Sequence, residues 1–205
     1  MEDEKELVEA LQRGDARALD TFYRTYARTV LAWAIRLGGP RLDAEDIAQD
    51  VFAVAFRRIG SFRGDSRLST WLFSITRNVI YNARRRAAIR RMVALDAVPE
   101  PAAGQPLADA HLERHQRREQ VQAALEQLKS NQREVLVLMD LEGRTAPEVG
   151  EMIGIPPGTV YSRLHYARKA FAAVLDRMEA EENKALAGAS SVAMGGAGSV
   201  RGGGR

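Results

Sequence analysis

Apolar residues return every three or four positions along most of this chain, and nowhere do they alternate in the Val- and Ile-rich manner of a strand. The pattern predicts an all-α fold. A short first helix covers residues 7–11 and closes at Gly14. A long second helix carries Leu19, Phe22, Tyr23, Tyr26, Val30, Trp33 and Leu37 on one stripe, and Gly38, Gly39 and Pro40 stop it. Asp43 suits the N-cap of a third helix that runs to about Ile59. The loop GSFRGDS then leads into a fourth helix, from Leu68 to about Arg91.

These helices make a first domain over residues 1–95. Residues 96–110, with Pro99, Pro101, Gly104 and Pro106, show no apolar period and read as a flexible linker. Periodicity resumes over residues 111–181, a second small helical domain with helices near 111–128, 131–141, 146–153 and 157–180. Residues 182–205 are rich in Gly, Ala and Ser and read as a disordered tail.

The segment TAPEVGEMIGIPPGTVYSRLHYAR, residues 145–168, combines a short helix, a glycine-bearing turn and a second helix. That is the pattern of a helix-turn-helix. In its second helix Val160, Leu164, Ala167, Phe171, Val174 and Met178 recur at helical spacing, which leaves Thr159, Ser162, Arg163, His165, Tyr166 and Lys169 outward. Gly150 and Gly154 fall where the helices must approach and where the first must end, and Pro157 suits a first turn. The segment by itself also admits a second reading, a helical hairpin with a solvated face.

Two faces in the first domain invite the same pair of readings. At 100° per residue, Ile47, Ala48, Val51, Phe52 and Ala55 share one side of the third helix, while Asp46, Gln49 and Asp50 cluster opposite. This acidic and amide patch is either solvated or a dock for a basic partner helix. The fourth helix buries Leu68, Trp71, Leu72, Ile75 and Val79 and presents Thr70, Phe73, Arg77, Tyr81 and Arg84. Arginines interleaved with aromatics suit single-stranded nucleic acid, cations following phosphates and rings stacking on bases; alternatively Phe73 and Tyr81 pack on a neighbouring helix.

Composition narrows the class. Cysteine is absent, which excludes disulfides, thiolate nucleophiles and zinc-cysteine sites. Apolar stretches are broken well before membrane-spanning length, and the acidic start MEDEKE is unlike a signal peptide, so a cytoplasmic protein without membrane insertion is expected. The net charge of +3 is modest. Its distribution is not: Arg63, Arg67, Arg77, Arg84, Arg85, Arg86, Arg90 and Arg91 face only Asp65 between residues 61 and 95, an electrostatic footprint for nucleic acid.

Taken together, DAEDIAQDVFAVAFRR followed by FRGDSRLSTWLFSITRNVIYNARRR resembles region 2 of bacterial RNA polymerase sigma factors. LKSNQREVLVLMDLEGRTAPEVGEMIGIPPGTVYSRLHYARKAF resembles region 4, and the two-domain layout resembles the extracytoplasmic-function (ECF) group. The resemblance implies a dissociable subunit that binds core polymerase through its beta-prime and beta subunits and directs it to promoters without an active site, metal or cofactor of its own. It implies that Asp46, Gln49 and Asp50 grip the beta-prime coiled coil. Residues 62–68, among them Phe62, Arg63, Asp65, Ser66 and Arg67, match the loop that captures a flipped minus-ten base, and Trp71, Arg77, Asn78, Tyr81 and Arg84 lie on the adjoining helix that supports strand opening. Thr159, Tyr161, Ser162, Arg163, His165 and Tyr166 match the reader of the minus-thirty-five duplex, and the linker matches a segment that threads polymerase channels. An anti-sigma partner is implied by the family, not by any motif.

The chain departs from the family where Tyr161 and Tyr166 replace more usual cations, where Lys129 stands for a common proline, and in its APEVG segment. Base preference therefore does not carry over. Two other functions compete. A metalloenzyme would rest on His111, His115 and Glu119 at i, i+4, i+8, with no further ligand cluster beside them. A stand-alone helix-turn-helix repressor would use the second domain and leave the first unexplained.

Overall fold

The computed structural model describes residues 2–93 and 109–195, the side chains of residues 2, 93, 109–115, 182 and 185–195 excepted. All regular structure among the described residues is helical. The first domain holds α1 (Glu2–Gln12), α2 (Ala16–Gly38), α3 (Ala44–Arg58), a 3-10 turn (Ile59–Ser61) and α4 (Leu68–Val93). The second holds α5 (Asp109–Gln127), α6 (Ser130–Leu136), a π turn (Val137–Leu141), α7 (Ala146–Ile153) and α8 (Pro157–Gly195). Most of the linker expected over 96–110 lies outside the described residues, as do the side chains of His111 and His115.

Capping chemistry sets the helix starts. Asp15 accepts from the backbone N–H groups of Arg17 and Ala18, and Asp43 from those of Glu45 and Asp46. Phe22, Val30, Trp33 and Leu37 of α2 are buried as the stripe predicts. Tyr23 is not: it is half exposed and leans on Phe52 at a ring separation of 4.9 Å, because the stripe is wider than the surface it packs on. The apolar side chains of both domains form one continuous buried cluster.

Disorder does not begin at residue 182. Helix α8 continues to Gly195, through an alanine-rich, proline-free stretch whose helix propensity offsets its glycines. Along its last described side chains Arg177 donates to Gln127, Met178 is half-buried, and Glu179, Ala180, Glu181, Asn183 and Lys184 are exposed. Removing residues 185–205 should therefore shift the melting temperature by no more than about 2 °C. A drop of many degrees in a thermal melt would show that this segment packs on the folded body.

Candidate nucleic-acid interface

The helix-turn-helix is built by backbone economy. Thr145 donates from its backbone N–H (2.9 Å) and its hydroxyl (2.8 Å) to the Glu148 carboxylate, which starts α7 and holds that carboxyl below its ordinary range. Gly154 ends α7 in the left-handed region at φ 74°, and a Cβ on Gly150 would lie 2.6 Å from the Ile155 carbonyl oxygen. Only glycine lets the turn pass so close. Val160, Leu164, Ala167 and Val174 of α8 are buried, and Arg168 makes a bidentate pair with Asp140 at 2.8 and 2.6 Å, fixing α8 to the π turn.

Tyr161, Ser162, His165 and Tyr166 form the exposed face of α8, with the His165 and Tyr166 rings edge to face at 5.4 Å. Thr159 and Arg163 differ from the expectation of fully outward positions. Both are half-buried, and Arg163 lines a cleft of about 450 Å³ between the domains, beside Arg77, Asn78, Tyr81, Arg84 and Glu134.

In the first domain the loop after the 3-10 turn leaves Arg63, Asp65 and Arg67 exposed and Ser66 half-buried. Phe62 is buried against the half-buried Trp71 at a ring separation of 5.2 Å. Helix α1 grips both ends of this loop. The Gln12 amide donates to the carbonyls of Ile59 (3.2 Å) and Phe62 (2.9 Å), and the Glu4 carboxylate accepts from the backbone N–H of Leu68 at the start of α4. Neither residue carries a sequence signal, since both contacts span about fifty residues or more.

The face expected on α4 needs correction. Phe73 is fully buried, edge-on to Trp33 at 5.0 Å, so it cannot stack on a base. Helix α4 packs on two sides, against α2 and α3 and against α7, and no single stripe describes it. Tyr81 and Asn78 are exposed. Arg84 is half-buried and donates to the Gly38 carbonyl at 2.9 and 3.2 Å, closing the end of α2; burial lowers its pKa. Arg77 is ion-paired with Glu134 of α6 at 3.1 Å.

On α3 the amphipathic reading holds: Ile47, Val51, Phe52 and Ala55 are buried, whereas Asp46, Gln49 and Asp50 are exposed. Three further features went unread in the sequence. Arg133, only 3% exposed, lies among carbonyls, while Glu134 and Glu142 face the first domain. Burial raises the Glu134 pKa against the opposing pull of Arg77, Arg163 and Arg133.

With this geometry in hand, comparison with known proteins is specific. The sigma-70 region 2 family matches residues 22–89, and sigma-70 region 4 matches residues 118–171. The RNA polymerase sigma-H factor of Pseudomonas aeruginosa is 34% identical over 178 residues, covering 82% of this chain and 92% of that protein. The ECF RNA polymerase sigma-E factor of Escherichia coli K12 is 31% identical over 172 residues, covering 80% and 90%. Among solved structures, the sigma factor RpoE from Bartonella quintana, in complex with the anti-sigma factor NepR, superposes with a TM-score of 0.62 at 26% identity, covering 77% of this chain and 96% of that one. The chain belongs to the ECF group of sigma-70 family RNA polymerase sigma factors. It is accordingly a dissociable promoter-specificity subunit.

Proposed function

We propose that the exposed acidic face of α3 docks core polymerase, that the 62–68 loop with Trp71, Arg77, Asn78 and Tyr81 captures and holds the opened minus-ten strand while Arg84 braces α4 against the end of α2, and that the exposed face of α8 reads the minus-thirty-five duplex. The observation that carries this is the separation of chemistry by surface. Three polar residues, Asp46, Gln49 and Asp50, cluster on the exposed side of α3, whereas the loop exposes two arginines, Arg63 and Arg67, around the single carboxylate of Asp65, and the α8 face carries Tyr, His and hydroxyl groups. Gln12 and Glu4 act as positioning residues for the loop, since α1 fixes both of its ends. Extruding a base costs on the order of a few kcal/mol, so a pre-positioned loop spends less of its contact energy on ordering itself. The chain supplies no bond-making chemistry; that belongs to the polymerase. No described helix is long and apolar enough to cross a membrane, and the site of action is the cytoplasm, where an anti-sigma protein of the kind that binds the Bartonella relative would control the free chain.

Reconstitution tests the reading. Full-length chain added to core polymerase should give promoter-dependent transcription, and a repressor would bind its duplex equally well without core. Arg163→Ala should lower transcription from promoters that depend on the upstream element, while core binding and use of a pre-melted bubble stay near wild type. A bidentate guanine contact would give roughly 1–3 kcal/mol of base discrimination. A phosphate contact would instead give a uniform loss and a shallower salt dependence. Full activity and specificity of the variant on duplex promoters would remove Arg163 from the reading face.

A further inference from the structure

The cleft between the domains concentrates positive charge. Four guanidinium groups, those of Arg77, Arg84, Arg133 and Arg163, line it together with a single carboxylate, Glu134. Two of the four are largely spent: Arg84 donates to the Gly38 carbonyl, and Arg133 to those of Leu125, Leu37, Glu126 and Leu128. They add field more than donors. Burial first, and then the neighbouring charge of Arg84, lowers the Arg133 pKa against the opposite pull of Glu126 and Glu134.

The other two still have donors to give. The Nε of Arg77 takes the Glu134 carboxylate at 3.1 Å, and a guanidinium carries four more N–H donors on its terminal nitrogens. Arg163 is half-buried, and among the described residues its guanidinium has no hydrogen-bonded or ion-paired partner; Glu134 attracts it only through space. A cation drawn out of water without a partner is costly, and an anion in the cleft would relieve that cost. Guanidinium groups suit phosphate in particular, because their planar fork matches its oxygens.

The neutral lining suits a different chemistry. Leu37, Ile80 and Ile153 are buried and give the cleft an apolar wall, while Tyr81 presents a ring that is 67% exposed and so open to stacking. Asn78 and Asn131 add exposed amides. A stackable ring suits a heteroaromatic base, and an amide's paired donor and acceptor suit its hydrogen-bonding edge. The volume of about 450 Å³ falls within the roughly 300–1,000 Å³ of small-ligand sites, whereas a strand needs a groove that tracks about 4–16 nucleotides.

We propose that this cleft is a binding site for a free nucleoside phosphate, with Arg163 and Arg77 on the phosphates, Tyr81 stacked on the base and Asn131 at the base edge. Such a ligand touches both domains, since Arg77 and Tyr81 come from α4, Asn131 from α6 and Arg163 from α8. Glu134 opposes it, because its carboxylate competes with phosphate for Arg77. Nothing in this site requires that the same residues also touch promoter DNA.

Titration calorimetry of the free full-length chain with ADP, GDP and UDP tests the site, with the three nucleosides and inorganic pyrophosphate as its separated halves. At least one diphosphate should bind about tenfold or more tightly than pyrophosphate or its own nucleoside. Arg163→Gln should weaken that binding about tenfold, the worth of one charged hydrogen bond. Tyr81→Ala should weaken the nucleotide about fivefold or more and leave pyrophosphate unchanged. Glu134→Gln should move the other way and tighten the nucleotide severalfold, a gain that no misfolded variant produces. Asn131→Leu should weaken the nucleotide while leaving an unphosphorylated single-stranded oligonucleotide unaffected. Failure of all three diphosphates to bind, pyrophosphate binding as tight as the nucleotide's, or no gain in Glu134→Gln would each overturn the proposal. An oligonucleotide that binds more tightly than any diphosphate, and loses affinity with both Asn131→Leu and Arg163→Gln, would give the cleft to a strand and overturn it too.

Discussion

Arg133→Ala should destabilise the chain by about 3–5 kcal/mol, because it strips a charged donor from several buried carbonyls at a cost of about 1–3 kcal/mol for each one left unsatisfied. The side chain is 3% exposed and every nitrogen of its guanidinium is committed: Nε to the Leu125 carbonyl at 2.6 Å, Nη1 to Leu37 at 3.0 Å, Nη2 to Glu126 at 2.7 Å and to Leu128 at 3.2 Å. Those carbonyls belong to the ends of α2 and α5, where the last turns have no intrahelical donors. One cation thus closes two helix C-termini, where positive charge is also favoured by the helix dipole. Burial, reinforced by Arg84, lowers its pKa to about 10, still well above neutral, so it stays charged. Lysine carries the charge but not the planar fork, and Arg133→Lys should recover only part of the loss. Chemical denaturation monitored by far-ultraviolet dichroism measures both. Unfolding midpoints within error of wild type would show that solvent or relaxation satisfies the carbonyls.

What could be read from the sequence was whatever depends on spacing within one element. The Asp43 cap, the exposed Asp46, Gln49 and Asp50, the left-handed Gly154, the close approach at Gly150 and the buried register of α8 all follow from local geometry and hydrophobic period. The residues whose surroundings differ from expectation share the opposite property. Of the two readings the sequence leaves open for Phe73, packing on a neighbouring helix holds: α2 covers it while α7 packs elsewhere along α4, so no single buried face describes that helix. Tyr23 shares the α2 stripe and yet is half exposed, because an aromatic on a stripe need not find a deep enough surface. Arg84 and Arg163 looked like free cations, but tertiary contact puts one on a helix end and the other in an interdomain cleft. Gln12, Glu4, Arg133 and Glu142 were invisible because their partners are distant in the chain or are backbone carbonyls, which leave no residue-type pattern. Helix α8 runs past the end that its Gly, Ala and Ser content predicts, because the propensity of its alanines carries the helix on to Gly195.

Reversing the acidic face of α3 with Asp46→Arg and Asp50→Arg should weaken association with core polymerase about a hundredfold or more while leaving helix content intact. Both side chains are exposed, so neither substitution buries a charge. Like charges would then meet across the interface, where juxtaposition costs several kcal/mol. The two positions are not equivalent. Asp46 sits in the first turn of α3, where a carboxylate is favoured by the helix dipole, and its replacement by a cation costs roughly 0.3–1 kcal/mol of stability on its own. Asp50 lies one turn further in and carries less of that burden, while Asp43, the cap itself, is untouched. Asp46→Asn with Asp50→Asn therefore serves as the control that removes attraction without adding repulsion, and it should fall between wild type and the reversal. Fluorescence titration of labelled chain with core gives the three affinities, and raising salt should narrow the differences among them. Equal affinities for all three would move core docking off this face. A loss confined to single-stranded minus-ten binding would instead place the acids beside the DNA-reading surface.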